Sequence, residues 1–417
     1  VAIILAAGQG KRMRSDRAKV LHEVCGRPMI RYVVDAARGA GAKSIIVVVG
    51  FGADQVRSAL AGEPDIHFAT QEKQLGTGDA VRACRPLLEG YRGPVMVLVG
   101  DEPLLRAKPL SDLFERQRSE RLDCLMGTAV VPDPSGFGRI LRDSAGRFLR
   151  IIEQRDCTPE EAAIREINPS CYVFELPVLW EALNQLDTAN AQGEYYLTDA
   201  PALLIKMGRN VSAVPVLDAQ DVLGVNTREH LAEAHVIMQR RIQSRLMDEG
   251  VSIVDPSNTS IDGRAEIGPE TTIYPFTVIS GTVRIGRGCS VGPFAHLRDG
   301  TVLEDGAEVG AFVEVSRSTF GAGARARHLA YLGNARVGAG ANIGAGAITA
   351  NFDGRNKAET TIGSEAFVGS GAILIAPVTV GQGAIVGAGA VVPKGKDVAP
   401  GQTVVGVPSR PIGGERG

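Results

Sequence analysis

The chain lacks a cysteine framework. Its six cysteines, Cys25, Cys84, Cys124, Cys157, Cys171 and Cys289, are scattered, and no two stand in a CxxC spacing. That pattern argues against a disulfide scaffold or a zinc site and fits a reducing compartment. Charge imbalance is missing as well: a net charge of −2 over 417 residues gives no electrostatic reason to bind nucleic acid. Long apolar runs are absent, and stretches such as "SIIVVVG" are far too short to span a bilayer. The first residues enter an apolar strand pattern with no basic segment, so no signal peptide is expected. These absences lead us to expect a cytoplasmic protein with neither membrane nor nucleic-acid partners. What is present is a globular composition, 44% hydrophobic and 22% charged, at a length that predicts two or three domains. Glycine is abundant, 51 residues in all, with most of the excess in the C-terminal third.

Residues 1–227 alternate between two patterns. Short apolar runs ("VAIILAAG", "SIIVVVG", "PVMVLVGD", "VSAVPVL") read as buried strands, and segments such as "PMIRYVVDAARGAG" and "EYYLTDAPALLIKMG" read as helices. Strand–helix alternation predicts an α/β, Rossmann-like domain with a mostly parallel sheet covered on both faces. Residues 228–249 contain no Gly or Pro and place apolar residues at 231, 234, 237, 238, 242 and 246. This is one helical face, ending at Gly250, and it predicts a single connecting helix.

From residue 250 to 417 the period changes. Steps of six from Ile267 meet Ile273, Ile279, Ile285, Val291, Leu297, Leu303, Val309 and Val315. After a one-residue slip the step resumes at Phe320, Ala326 and Leu332; after another, at Val337, Ile343 and Thr349; a last series runs Ile362, Val368, Leu374, Val380, Val386, Val392. A period of six is neither helical nor that of a plain strand. It predicts a parallel β-helix in which three short sides make a coil of about 18 residues, stacked at roughly 4.8 Å. Apolar faces on such a coil predict an oligomer.

"LAAGQGKRM" puts a glycine-rich loop directly after the first strand, with Lys11 and Arg12 following. Exposed backbone N–H groups beside cations suit phosphate. The loop is neither a dinucleotide fingerprint, since Met13 stands where the third glycine belongs, nor a Walker loop; a simple tight turn is the competing reading. Lys19 adds a second cation. Asp101 follows the strand "VMVLVG", at the sheet edge where α/β folds bind ligands, and suits Mg²⁺; its alternative role is a helix cap before Pro103.

Taken in order, "LAAGQGKRM", "KVLHEVCGRPMI", "QLGTGDA", "GDEPLL", "GFGRI", "EINPS", "AQGEYYLTD" and "GVN" make the chain resemble the bacterial bifunctional N-acetylglucosamine-1-phosphate uridyltransferase/glucosamine-1-phosphate N-acetyltransferase family, over essentially its whole length. The resemblance implies uridylyl transfer from UTP to N-acetylglucosamine 1-phosphate with release of pyrophosphate. It implies Leu5, Ala6, Gly8, Gln71 and Gly76 at the nucleotide, Lys11, Arg12 and Lys19 at the triphosphate, Asp101 and Asn226 at Mg²⁺, and Thr77, Gly138, Glu153 and Asn168 at the sugar. It also implies a left-handed coil and a homotrimer. The chain departs from the family pattern at Val99 (usually Tyr), Ala18 (usually Pro) and Pro169-Ser170 (usually Thr-Gly).

For the second half the resemblance implies acetyl transfer from acetyl-CoA to glucosamine 1-phosphate. His328, in "ARARHLAYLGN", is the expected proton acceptor, imidazole being the side chain that changes charge near neutral pH. The repeat is read as losing phase beside it. The polar interruption "ANFDGRNKAE" at 350–359 follows about one coil later, so the two departures are expected to line one crevice. Arg298, Tyr331, Asn342 and Lys357 match the family's sugar-phosphate residues; Ala345, Asn351, Phe352, Ser370 and Ala388 match its acetyl-CoA groove. Phe352 replaces a Tyr and Ser316 replaces a Lys used on the sugar phosphate. Arg317 is adjacent, but strand neighbours point to opposite faces. Weaker phosphate binding is therefore expected unless Arg298 or Arg327 compensates, at a cost of about 1–3 kcal/mol. A uridyltransferase whose β-helix only trimerises or regulates is the alternative.

Overall fold

The computed structural model describes residues 1–412. The chain divides into two compact units, Val1–Ile237 and Met238–Gly417. The division falls within one helix, Arg228–Asp248, which ends where Gly250 takes the left-handed conformation at φ 94°.

The first unit is built on nine strands: β1 (Ala2–Ala6), β2 (Ile45–Val49), β3 (Ile66–Thr70), β4 (Pro94–Val99), β5 (Cys124–Val130), β6 (Gly138–Arg142), β7 (Phe148–Ile152), β8 (Glu166–Glu175) and β9 (Val211–Val214). Their order is β9-β5-β8-β4-β1-β2-β3, with β6 attached to β8 and β7 beyond it. Along the main path only β8 is antiparallel. Both faces are covered. Ile4, Val47 and Leu98 pack beneath the helices Met29–Gly39 and Ala107–Ser119; Ile3, Val48 and Val97 pack with Leu179 and Leu183 of Leu176–Gln185 on the other face. Burial on both sides is why these strands read as unbroken apolar runs. The chain leaves β1 toward β2 and β3, then returns to β4 on β1's other flank. The crevice at the C-terminal ends of β1 and β4 is therefore the switch point where such sheets bind ligands.

The second unit is a three-faced parallel β-helix. Among the described residues, the first face has ten strands, from Ser252–Ile253 to Arg410–Pro411; the second has eight, from Ser260–Ile261 to Val391–Val392; the third has seven, from Glu266–Ile267 to Val378–Val380. Ile273 pairs with Val291 and Val291 with Val309, which is a coil of 18 residues. The in-phase aliphatics are buried in the prism. Outside, Phe276, Phe294 and Phe312 stack in an exposed ladder with ring centroids 4.8 and 5.0 Å apart.

The slips fall where the six-residue count puts them, but phase is not lost beside His328 as expected. His328 lies in phase, between the buried Ala326 and Leu332. The lost residues fall between Val315 and Phe320 and between Leu332 and Val337, both at the corner from the second face to the third. The loop at 351–359 leaves from that same corner, between strands Ile348–Ala350 and Thr360–Ile362. Corners absorb such changes because removing a residue from a strand would turn every following side chain to the wrong face. The shortened corners are turned by Arg317 (φ 48°) and Asn334 (φ 50°). Two buried hydroxyls satisfy the backbone there. Ser318 Oγ accepts from Ala335 N–H at 2.8 Å and donates toward Leu332 C=O at 3.1 Å; Thr349 Oγ1 accepts from Gly333 N–H at 2.8 Å.

Candidate active sites

At the switch point the glycine-rich loop folds against Lys19. Gly10 sits at φ 62°, and a Cβ there would lie 2.8 Å from Lys19 Cβ, so the loop needs glycine to approach this closely. A cavity of about 340 Å³ is lined by Leu5, Ala6, Gly8, Lys19, Gln71, Gly76, Thr77 and Asp101, all expected from sequence, and also by Ala7, Val20, Gln74, Val99 and Glu194. Gln71 Nε2 donates to Gly76 C=O at 3.0 Å and to Asp79 Oδ2 at 2.9 Å; Gln74 Nε2 donates to Ala7 C=O at 2.9 Å. Lys11 and Arg12 occupy a short turn of 3₁₀-helix and are exposed rather than lining the cavity.

Lys19 joins the two residues expected to share a metal. Its ammonium pairs with Asp101 and donates to Asn226 Oδ1 at 3.1 Å. A carboxylate and an amide oxygen thus converge on one cation in a largely buried position. These are the hard oxygen donors Mg²⁺ prefers, and two of them leave room for phosphate oxygens and water. The residues therefore fit Mg²⁺. Beside them lies a group that sequence reasoning missed. Glu102 is buried and its Oε2 has no partner among the described residues. Burial, then the neighbouring Asp101 carboxylate, push it well above the ordinary carboxylate range, against the pull of Lys19. Its only sequence signal was the acidic pair at the end of β4.

The remaining motifs of this unit are drawn together by backbone contacts. A Cβ at Gly76 would lie 2.6 Å from Tyr195 C=O, and Gly78 N–H donates to that carbonyl at 2.8 Å. Thr77 Oγ1 accepts from Leu197 N–H at 3.0 Å, and Thr198 Oγ1 donates to Glu153 Oε1 at 3.0 Å. "QLGTGDA", "GEYYLTD" and Glu153 are therefore one wall. Burial raises the Glu153 carboxyl, partly offset by the Thr198 hydrogen bond. Asn168 pairs in register with Gly138 and is buried, its Nδ2 donating to Tyr172 Oη at 2.7 Å. Pro169-Ser170 form an irregularity in β8, with Ser170 at φ 57° and its N–H bound to Asn168 Oδ1.

On the β-helix, His328 ends a strand of the first face, exposed, paired in register with Ala311. The corner hydrogen bonds Gly371 N–H to Ala345 C=O and Gly389 N–H to Ser370 C=O continue that row, so His328, Ala345, Ser370 and Ala388 line one edge of the prism. The second face begins just past His328. Its outer surface carries Glu314 and Tyr331 in one row and Arg298, Ser316 and Gly333 in the next. A Cβ at Gly333 would lie 2.5 Å from Tyr331 Oη and 2.8 Å from Asn351 Nδ2. Tyr331 thus spans the floor from the histidine edge to the loop edge, over a glycine that leaves it room. Asn351 is buried and donates to Asn334 Oδ1 at 2.7 Å; Phe352 and Lys357 bridge in the exposed loop beyond it. Asn342 stands apart, on the first face beside Arg325.

Two expectations about cations change. Arg327 is held by Glu308 at 2.6 Å, so it is not free to compensate for Ser316, and Arg298 is held by Glu314 at 2.8 Å. Arg317 lies beyond the strand Glu314–Ser316, in a left-handed corner, so strand alternation does not decide where it points.

Comparison with known proteins gives the same two-part division. A MobA-like NTP transferase domain matches residues 2–192, and the bacterial transferase hexapeptide (six repeats) matches 282–317 and 359–394. A protein of Pelobacter propionicus named bifunctional protein GlmU is 44% identical over 91% of this chain and 90% of its own length. Its namesakes from Pelotomaculum thermopropionicum and a Geobacillus species are 43% and 42% identical, over 90% and 92% of this chain and 89% and 90% of their own lengths.

Proposed function

The chain belongs to the bifunctional GlmU family, and from that membership we propose how its residues divide the work. It is a sugar-1-phosphate uridylyltransferase and a hexapeptide-repeat N-acetyltransferase of UDP-N-acetylglucosamine synthesis, with a nucleotidyltransferase half followed by a left-handed parallel β-helix. Both halves fall within the aligned length, which leaves the single-activity reading without support.

In the first half, the sugar phosphate attacks the α-phosphorus of UTP and pyrophosphate leaves. Leu5, Ala6, Gly8, Gln71 and Gly76 hold the nucleotide; Lys11, Arg12 and Lys19 neutralise the triphosphate; Thr77, Gly138, Glu153 and Asn168 hold the sugar. Asp101 and Asn226 hold Mg²⁺, which when bound supplies charge neutralisation at the phosphates. The convergence of Asp101 and Asn226 on the Lys19 ammonium, with Lys19 and Asp101 lining the cavity, is the observation that carries this assignment. In the second half, His328 takes the proton from the amine of glucosamine 1-phosphate as that nitrogen attacks the thioester carbonyl, and CoA leaves as its thiol. Tyr331, Lys357 and, once it leaves Glu314, Arg298 hold the sugar phosphate, while Asn342, on the first face, stands outside that group within one chain; Ala345, Asn351, Phe352, Ser370 and Ala388 line the acetyl-CoA groove.

The working form is a cytoplasmic homotrimer acting on small molecules alone. The exposed ladder of Phe276, Phe294 and Phe312 supports association through the β-helix. No helix among the described residues is long and apolar enough to cross a membrane. Two assays on the full chain test the reading: pyrophosphate release from UTP with N-acetylglucosamine 1-phosphate, and CoA thiol release with glucosamine 1-phosphate. Pyrophosphate without thiol would reduce the β-helix to a spacer.

A further inference from the structure

The irregular corner of the β-helix holds a cation with no carboxylate partner among the described residues. Arg298, Arg325, Arg327 and Arg336 are each paired, with Glu314, Glu308, Glu308 and Glu359 respectively. Arg317 is exposed, and its guanidinium meets a neutral acceptor, Asn334 Oδ1, at 3.4 Å. That same oxygen accepts from Asn351 Nδ2 at 2.7 Å, and the Asn351 amide lies beside Tyr331 Oη above Gly333. Below, Ser316 is 1% exposed, and its hydroxyl has no partner. Two small residues, Ser316 and Gly333, therefore make a low floor. Around it stand a guanidinium, an amide N–H₂ and a phenol hydroxyl, all able to donate. The buried Ser316 and Gly333 leave the space above them open, and donors converging there beside an uncommitted cation suit an anion.

We infer that Arg317 holds the phosphate of the sugar substrate during acetyl transfer, in place of a cation at position 316. The missing residue in this corner is what makes the exchange possible. With the chain turned at Arg317 in a left-handed conformation, the side chain starts at the rim of the second face and is freed from strand alternation. The CoA phosphates are the other available anions. Of the residues expected to hold CoA, Ala345, Ser370 and Ala388 run along the opposite edge of that face while Asn351 and Phe352 lie at this corner, so the two KM values decide between the anions.

The inference rests on the acetyltransferase reading, and the test separates the two. Thiol release by the full-length protein is followed for wild type, Arg317→Gln and Arg317→Lys, varying glucosamine 1-phosphate and acetyl-CoA in turn. Arg317→Gln is expected to raise KM for glucosamine 1-phosphate about ten- to a hundredfold, the range for a lost charge-assisted hydrogen bond. KM for acetyl-CoA and kcat at saturation should stay unchanged, and Arg317→Lys should retain most of the affinity. Adding Ser316→Lys to Arg317→Gln should restore it. An unchanged KM for the sugar phosphate, a shift in the KM for acetyl-CoA instead, or a fall in kcat alone would overturn the inference while leaving the acetyltransferase standing. Absence of thiol release in wild type would remove the acetyltransferase itself.

Discussion

The two units place functional groups by opposite means. In the α/β unit the parallel sheet is regular, and the site is assembled from segments far apart in sequence. Lys19, Asp101 and Asn226 meet at one cation, and Thr77, Glu153 and Thr198 meet in one wall. In the β-helix the framework itself is nearly one-dimensional, and neighbours in space are one coil apart in sequence. Its candidate functional groups lie on the outer surface and at the corner where the period fails. A non-local site fails when any of its distant strands moves. A solenoid site is local and should fail alone.

The strongest way to break that contrast is His328→Ala. Loss of a general base costs about 10²–10⁴-fold, so thiol release should collapse while pyrophosphate release is untouched. Loss of both activities would mean the halves are not independent. The reciprocal change is Lys19→Ala, expected to lower pyrophosphate release about 10²–10³-fold, as for removal of a preorganised charge at a phosphate, with thiol release unchanged. Ser318→Ala asks whether the short corners depend on buried hydroxyls. It leaves the Ala335 N–H without the acceptor it has at 2.8 Å, and should cost about 1–3 kcal/mol, read by urea unfolding of the β-helix. A neutral result would mean that the corner relaxes freely.

The smallest expected effect concerns Glu153. Its folded-state pKa is raised by burial, so its contribution to stability is fully present below the unfolded value and is lost as pH rises through the folded one. Glu153→Gln cannot ionise. Its melting temperature should gain on wild type as pH rises above the ordinary carboxylate range, while sugar binding weakens. A constant difference across that rise would show that burial is not what sets this carboxyl.

Several features were legible because they are periodic or local. The unbroken apolar runs of β1, β2 and β4 announced strands covered on both faces. The aliphatics from Ile267 onward announced the prism, and Gly250 the end of the connecting helix. The cavity lining from Leu5 to Asp101 followed from motif order. Less legible were the groups whose meaning depends on a neighbour. Glu102 is chemically unusual only because the fold buries it beside Asp101 with one oxygen unpartnered. Arg327 looked like a spare cation until Glu308 was found beside it. The loss of phase, read as lying at His328, belongs to the corners at Arg317 and Asn334.

By itself the sequence determined which two architectures the chain adopts, because hydrophobic period is set by local backbone geometry and survives without knowledge of any contact. It also determined the residue types available for phosphate, metal and proton transfer. Tertiary structure alone decided which of those residues meet. Whether a cation is free or paired, and whether a carboxyl is charged or suppressed, depends on partners that lie a coil or a whole strand order away. The distance between two side chains is a property of the packed chain, and no window of sequence contains it.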